Sequence, residues 1–290
     1  MNILNRLSIV IAFIDKNPTS KITISQLSKI ACLSPYHFQR IFKQQFGVTV
    51  GQYLKLIRLK RASFQIFFRT KISMTDIALD NGYESYEGFS RAIKHHLHRT
   101  PKQFRTTPTL EIWFNQQMQI QQIRQKIMNI NDLLTNYEVE IVEFKTLNTM
   151  SIKHSGHPKM LAQTLQRFIN WRKQNGLSPD KSRTFNIPLS PPLPTNPEAF
   201  SFVLAAQIPH SDFAYTQDFE QKTFPTMRCA KVRHIGSDDQ LTHIAKFLQG
   251  AWLHKSGEQK GELPLFFERV SFFPDVPENE MIVDVYLPLA

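Results

Sequence analysis

The first hundred residues contain the same residue pattern twice, 51 positions apart. Aromatic or apolar positions match apolar positions, and basic positions match basic ones. The matched pairs are Phe38 with Phe89, Arg40 with Arg91, Lys43 with Lys94, Phe46 with Leu97, Thr49 with Thr100 and Tyr53 with Phe104. Two copies of one supersecondary unit bury the same positions in both copies. The repeat therefore predicts two copies of a single small helical unit.

Each copy is predicted to hold a short helix, a tight turn and a second, amphipathic helix. Ala31 and Gly82 are the small residues at the turns, and Ser34 and Ser85 are suited to cap the second helices. In the amphipathic helix that follows Ser34, apolar residues recur with helical spacing and form one face. We also predict a helix over 50–68, a short helix opened by Thr75, and an end to the region at Pro101 and Pro108.

The opposite faces of the two amphipathic helices carry groups suited to DNA. Amide, hydroxyl, aromatic and basic side chains can contact base edges and phosphates. The predicted contact residues are Tyr36, Gln39, Arg40, Lys43, Tyr86, Glu87, Ser90, Arg91 and Lys94. The helix over 50–68 would be ~27 Å long, close to the ~34 Å of one DNA turn. The alternative is a helical bundle whose polar faces meet only water.

Charge favours the DNA interpretation. Residues 1–107 hold 17 of the 35 Lys and Arg but 5 of the 24 Asp and Glu, a net +12, whereas the rest of the chain is at −1. A localised basic surface binds a polyanion through counterion release. No apolar run reaches the ~20 residues of a membrane span, so we expect no membrane partner. Cys32 and Cys229 form no paired motif, which predicts free thiols and a cytoplasmic location.

The second half of the chain contains several segments typical of β-strands. Six runs rich in β-branched and aromatic residues alternate with helical patterns at 159–174 and 238–254, and the Pro-rich stretch 187–197 is predicted to be a loop. The motif Lys-His-Ser-Gly at 153–156 recurs as Arg-His-Ile-Gly at 233–236, which is 80 residues later. We predict an α+β domain of two βαββ-like halves, with a cleft where the halves meet.

These patterns define the expected organisation. Residues 1–107 are expected to form an all-α domain with two helix-turn-helix units, and residues 137–290 the pseudo-symmetric α+β domain. The Gln-rich residues 108–136 are expected to form a polar helical linker, and the alternative is a disordered segment. The neighbouring His95, His96 and His98 lack a matched Cys or carboxylate. We therefore expect no metal site and no cofactor.

Both halves resemble known families. The segments LSPYHFQRIFKQQFGVTVGQYL and IALDNGYESYEGFSRAIKHHLHRTPKQFR resemble the double helix-turn-helix of AraC/XylS transcription regulators. That resemblance implies base contacts from Tyr36, Gln39 and Arg40, and from the second helix. Leu97-His98 stands where Phe-Gly is usual, which should alter the turn but keep the helix. Glu87 could accept from cytosine N4 or could repel phosphate.

The second half resembles the GyrI-like effector-binding domain. The resemblance rests on VEIVEF, the paired His-containing motifs, PLFFERVSFF and IVDVYLPL, and it implies a ligand-binding glutamate at Glu268. In a strand, Glu268 would share a face with Phe266 and Val270. A carboxylate among aromatic groups suits a lipophilic cation. Trp252, Phe266 and Tyr286 are the other predicted ligand contacts. The alternative is a salt bridge from Glu268 to a nearby Arg or Lys.

Three functions are compatible with these features. The first is a bacterial transcription regulator, an activator that binds double-stranded DNA as a monomer, responds to a small hydrophobic or cationic effector and contacts RNA polymerase. In the second, the GyrI-like domain is a small-molecule hydrolase that uses Glu268 and Tyr286. In the third, the regulator is constitutive and the second domain only docks a protein. We expect the first function and no enzyme.

Overall fold

The computed structural model describes residues 2–131, 137–190, 195–209 and 218–290. The chain forms two compact units. Unit 1 consists of Met1–Thr135 with Phe273–Glu280, and unit 2 consists of Asn136–Phe272 with Met281–Ala290. Within the described ranges, no helix combines the length and the apolar character needed to cross a bilayer.

Unit 1 is helical. Its helices are α1 (Ile3–Lys16), α2 (Ile24–Ile30), α3 (Pro35–Phe46), α4 (Val50–Phe68), α5 (Met74–Asp80), α6 (Tyr86–Leu97), α7 (Pro101–Thr106) and α8 (Leu110–Asn131). The 51-residue repeat corresponds to α2–α3–α4 followed by α5–α6–α7. The side chains of Ser34 and Ser85 accept hydrogen bonds from the first turns of α3 and α6, as predicted. Thr49 and Thr100 form matching capping boxes at α4 and α7.

Three local predictions in unit 1 were wrong. Helix α5 is capped by Ser73, whose Oγ accepts from the Asp76 amide at 3.0 Å, and Thr75 lies inside the helix. Pro101 begins α7 instead of ending the region, because proline tolerates the first helical position. The Gln-rich segment is helical, but α8 buries an apolar stripe that includes Trp113 and Ile120.

Two aromatic groups form the core of unit 1. Around α3, the rings of Phe42 and Tyr53 lie 6.2 Å apart, in a cluster that also takes in residues of α1 and α8. Around the second repeat, Trp113 packs edge-to-face on Phe104 at 5.8 Å and lies 5.4 Å from Phe67. Helix α8 therefore packs with both repeats instead of connecting domains through solvent.

A buried ionic network joins α1, α4 and α8 to the segment Phe273–Glu280 within unit 1. Glu278 Oε1 accepts from Lys60 Nζ at 2.7 Å and from Arg124 Nη1 at 2.9 Å. Arg124 also pairs with Asp15 at 2.9 Å, and the Tyr53 hydroxyl donates to Asp15 at 3.0 Å. Burial raises the pKa of Glu278, but the charges of Arg124 and Lys60 outweigh it and hold that pKa well below its usual range. Unit 1 is thus completed by residues distant in sequence.

In its described residues, unit 2 forms an antiparallel sheet of eight strands with helices on one face. The strands are β1 (Glu140–Phe144), β2 (Leu147–Ser155), β3 (Thr184–Ser190), β4 (Ser201–Gln207), β5 (Glu220–Phe224), β6 (Met227–Ile235), β7 (Phe266–Arg269) and β8 (Ile282–Pro288). Their order across the sheet is β1-β6-β8-β7-β3-β4-β2-β5. Phe144 on one edge strand and Phe224 on the other nevertheless lie 5.8 Å apart. The sheet is therefore curled until its edges meet.

The 80-residue repeat corresponds to a repeated order of strands and helices along the chain. Strands β1 and β2 and helix α9 (Leu161–Gln174) recur 80 residues later as β5, β6 and α10 (Leu241–Phe247). A π-helical turn, Leu248–Trp252, connects α10 to α11 (Leu253–Ser256). Helix α9 covers an apolar cluster beside β2 and β4, and α10 covers one beside β6 and β8.

The prediction for the strands needs three corrections. Ile187–Ser190 belong to β3, although the Pro-rich stretch was predicted to be a loop, because a strand tolerates proline where its amide is not needed. Strand β5, with the polar sequence EQKTF, was missed because it lies at an edge and has little apolar alternation. Strand β7 ends at Arg269, so Val270 lies beyond it. Residues 191–194 of the predicted loop lie outside the described residues.

Helices α3 and α6 end with the same backbone conformation, although the residues at their ends differ. Gly47 after α3 has φ 76°, and His98 after α6 has φ 56°, so both C-caps are left-handed. A non-glycine residue in this region costs ~1 kcal/mol. We therefore predict that His98→Gly stabilises unit 1 by ~1 kcal/mol and that Gly47→Ala destabilises it similarly. An added Cβ at Gly47 meets nothing within 4 Å, so only backbone strain is added. Urea unfolding measures both effects.

The control for this prediction is His95→Gly, which removes an exposed histidine from the last turn of α6, where the backbone is still helical. It should destabilise unit 1 by ~1 kcal/mol, because glycine is a poor helix former. Stabilisation by His95→Gly, or no gain from His98→Gly, would show that the backbone at His98 is not strained.

Candidate nucleic-acid interface and ligand site

Helix α3 buries one face and exposes the other. The rings of Phe38 and Phe42 are fully buried and lie 5.8 Å apart, and Phe42 lies 4.7 Å from Phe46. This stripe orients the helix, so the side chains on its opposite face project into solvent. The exposed residues include the predicted contacts Tyr36, Gln39, Arg40 and Lys43.

Helix α6 repeats this arrangement with a smaller aromatic content. Phe89, Ile93 and Leu97 are fully buried. Of the predicted contacts, Glu87, Arg91 and Lys94 are exposed, whereas Tyr86 and Ser90 are half-buried. The structure therefore places the two predicted arginines, Arg40 and Arg91, at solvent-exposed positions of equivalent helices.

The basic residues of unit 1 fall into two groups. Arg58 and Arg105 bind the protein itself: Arg58 Nε donates to the Pro18 carbonyl at 2.6 Å, and Arg105 Nε donates to the Ile66 carbonyl at 3.1 Å. The second group makes no hydrogen bond or ion pair with any described residue. Its members on the two amphipathic helices are Arg40, Lys43, Arg91 and Lys94. Their charges are available to a polyanion.

The three clustered histidines differ in environment. His95 and His98 are exposed, but His96 is half-buried. Burial, with a contribution from nearby Lys55, lowers the pKa of His96 to about 4, so this side chain is neutral at pH 7. In the described part of the chain, no group of three or more His, Cys, Asp and Glu is placed to hold a metal ion.

The second candidate site lies on the face of the unit 2 sheet opposite the helices, where the curled sheet buries a cluster of aromatic rings. Phe144 lies 5.1 Å from Phe266, and Phe185 lies 5.3 Å from Phe224. Phe266 stacks on Tyr286 at 5.0 Å with an interplanar angle of 12°. Strands from both halves and both edges of the curled sheet thus bring five aromatic rings together.

Glu268 lies at the margin of this aromatic group and is ion-paired. Arg183 Nε and Nη2 donate to the two Glu268 oxygens at 2.6 and 2.7 Å, a bidentate geometry. The Tyr286 hydroxyl donates to Glu268 Oε2 at 3.1 Å. The Arg183 guanidinium lies 5.1 Å from the ring centres of Phe144 and Phe185. The alternative considered for Glu268, a salt bridge to a nearby arginine, is present in the structure.

The structure brings Glu268, Phe266 and Tyr286 together but not Trp252. Trp252 packs with the cluster under α10, which contains Val283 and Val285. Residues alternate between the two faces of a strand, so this cluster lies on the face opposite Tyr286. Val270 is also separate, because it follows the end of β7 and is exposed.

The suggested hydrolase pair is in contact but already engaged. Burial, and then the Glu268 charge, hold the pKa of Tyr286 well above its usual range, so its hydroxyl is protonated at neutral pH. The two groups are therefore hydrogen-bonded to each other, and Glu268 is also paired with Arg183.

Sequence reasoning missed the arginines of this face. Arg183 immediately precedes β3, whose Phe185 is the cross-strand partner of Glu268. The sequence did contain a signal: Arg183 lies two positions before Phe185, and residues two apart in an extended segment point to the same face. A second pair was missed in the same way: buried Asp284 receives two hydrogen bonds at 2.7 Å from Arg233.

Comparison with known proteins matches each half of the chain to a domain family. Residues 137–290 match the family described as the GyrI-like small molecule binding domain, and residues 27–107 match a helix-turn-helix domain family. The probable transcriptional regulator YgiV of Escherichia coli K12 is 33% identical over 156 residues, which are 53% of this chain and 96% of that protein.

Two further matches are a curated regulator and a solved structure. An uncharacterized HTH-type transcriptional regulator of Staphylococcus aureus is 30% identical over 140 residues, 47% of this chain and 18% of that protein. The cryo-EM structure of an EcmrR–DNA complex is similar with a TM-score of 0.43 and 14% identity, and the match covers 92% of this chain and 98% of that one.

The family matches account for the duplicated helical unit, with its exposed basic residues, and for the curled sheet. The chain belongs to the GyrI-like family, and it is a DNA-binding transcription regulator with an AraC-type helix-turn-helix domain ahead of its GyrI-like small-molecule binding domain.

Proposed function

We propose that α3 and α6 enter successive major grooves of one DNA duplex, and that a small hydrophobic molecule bound by unit 2 controls transcription. In this proposal the protein acts as an activator, binds DNA as a monomer and contacts RNA polymerase at the promoter. The observation that carries the proposal is the pair of equivalent helices whose buried stripes leave Arg40 and Arg91 exposed and without partners among the described residues.

The chemistry of the exposed faces supports base contact. Arg40 and Arg91 each present a guanidinium, which can bind guanine O6 and N7 through two hydrogen bonds. Gln39 offers an amide that suits adenine. Lys43 and Lys94 lie one turn further along their helices and carry charges suited to phosphates.

The helix between the two units supports contact with successive grooves. Helix α4 has 19 residues, which corresponds to about 28 Å at the usual rise of an α-helix. Major grooves on one face of B-DNA recur every ~34 Å. A helix of this length suits two tandem recognition helices, so one chain can occupy the two half-sites that a dimer usually occupies.

The proposed roles of Arg40 and Lys43 differ in a measurable way. Arg40→Ala should weaken binding to the preferred operator by ~1–3 kcal/mol and relax base preference at one position. Lys43→Ala should weaken binding to all sequences alike and reduce the slope of log K against log salt by ~1, because one phosphate contact is lost. Fluorescence anisotropy with operator and mutated operators, at several salt concentrations, measures both.

Lys145→Ala is the matched control, since Lys145 is an exposed lysine of unit 2. It should leave affinity and salt slope unchanged. If Arg40→Ala discriminated among bases as the wild type does, the assignment of base contact to α3 would be wrong.

Control by an effector is supported by the site on unit 2. The five clustered rings are buried and form an apolar group, and Glu268, Arg183 and Tyr286 supply polar groups at its margin. Small-molecule sites usually combine an apolar lining with a few polar groups. A ligand that binds differently to two states of the regulator shifts their populations. An apolar compound that contacts this cluster would therefore alter promoter occupancy or activity.

Effector control predicts a response that depends on the cluster. In a promoter–reporter strain, a panel of small apolar compounds should contain some that change expression at least about tenfold, a typical allosteric coupling. Phe266→Ala should abolish the response while operator affinity without compound stays unchanged. Compounds that bind the protein but leave DNA affinity and transcription unaltered would favour a constitutive regulator.

A further inference from the structure

The cluster on unit 2 has the composition of a site for an organic cation. Faces of aromatic rings attract positive charge, and a carboxylate beside them neutralises it. Here the faces belong to Phe144 and Phe185, and the carboxylate is Glu268, whose side chain is only 13% exposed. A carboxylate so largely removed from water requires a cation to compensate its charge.

In this chain the cation is already present as a side chain. The Arg183 guanidinium is within 5.1 Å of both ring centres and binds both oxygens of Glu268. Guanidinium groups combine stacking on rings with bidentate binding of carboxylates. Every attraction that the site could offer to an organic cation is thus satisfied within the protein.

We propose that Arg183 is the specificity-determining residue of this site, because its guanidinium occupies the place of a ligand cation. The site then rejects lipophilic cations and admits uncharged or anionic apolar molecules. This inference rests on the proposed binding of a small molecule at the aromatic cluster, and it assigns the charge class of that molecule.

The charges around the site support rejection of cations. Asp284, the cross-strand neighbour of Glu268, is itself paired with Arg233. Neither carboxylate is left to neutralise an added positive charge. An incoming cation would have to break two charge-assisted hydrogen bonds of Arg183 or bind beside its positive charge, and both are unfavourable. The Arg183 side chain is 39% exposed, and its Nη1 makes no hydrogen bond to a described residue, so an anionic group could bind there.

Removal of the Arg183 side-chain charge should convert the site into one that binds a lipophilic cation. The probe is tetraphenylphosphonium, a lipophilic monocation, titrated into the full chain by isothermal calorimetry. Arg183→Met should bind it with a Kd at least about tenfold lower than the wild type, because the rings and Glu268 become available to the probe. The double variant Arg183→Met with Glu268→Gln should lose this gain.

Arg228→Met is the matched control, since Arg228 is also an exposed arginine of unit 2 paired with a carboxylate, Glu258. It should bind the probe as the wild type does. Arg183→Gln provides a second variant that removes the charge but keeps a polar side chain, and it should show the same gain as Arg183→Met. Circular dichroism establishes that each variant is folded.

Two results would overturn the assignment. One is wild-type binding of the probe as tight as that of the Arg183 variants. The other is a folded Arg183→Gln or Arg183→Met protein with no gain in affinity. Because calorimetry involves no DNA, a gain in binding without any transcriptional response would support the role of Arg183 and count only against effector control.

Discussion

The burial of one apolar stripe on each of two equivalent helices determines what this protein can present to DNA. Phe38, Phe42 and Phe46 hold α3 against its core, and Phe89 with its aliphatic neighbours holds α6. A helix with a buried stripe has a defined outer face. The exposed side chains of α3 and α6 are therefore held on a fixed outer face, which is what the proposed contact with DNA requires.

The support for these helices extends beyond the repeated units. Helix α8 packs with both, and Arg124 on its buried side pairs with Asp15 and with Glu278 from the far end of the sequence. Removal of one partner from such a network leaves an uncompensated buried charge, which is strongly destabilising. The helical unit therefore depends on Phe273–Glu280, whose flanking strands β7 and β8 belong to unit 2. A fragment made of the first 135 residues would lack Glu278.

Local and repeated features were predictable from the sequence, and long-range pairs were not. Caps such as Ser34 and Ser85 act on residues three positions away, so the short sequence pattern is sufficient for them. The partnership of Arg183 and Glu268 spans 85 positions and depends on the pairing of β3 with β7. Strand pairing is not encoded by local pattern, and β3 begins a stretch rich in proline. The chemistry of Glu268 was therefore recognised without its partner.

The most direct test of the account is selection of bound sequences from random double-stranded DNA by the full chain. Two rigid, equivalent recognition helices joined by α4 predict a bipartite motif with half-sites about 10 bp apart, centre to centre. Arg91→Ala should remove the base preference in one half-site only, and Arg40→Ala should remove it in the other. A single undivided motif, or loss from the same half-site in both variants, would contradict the claim that both helices contact bases.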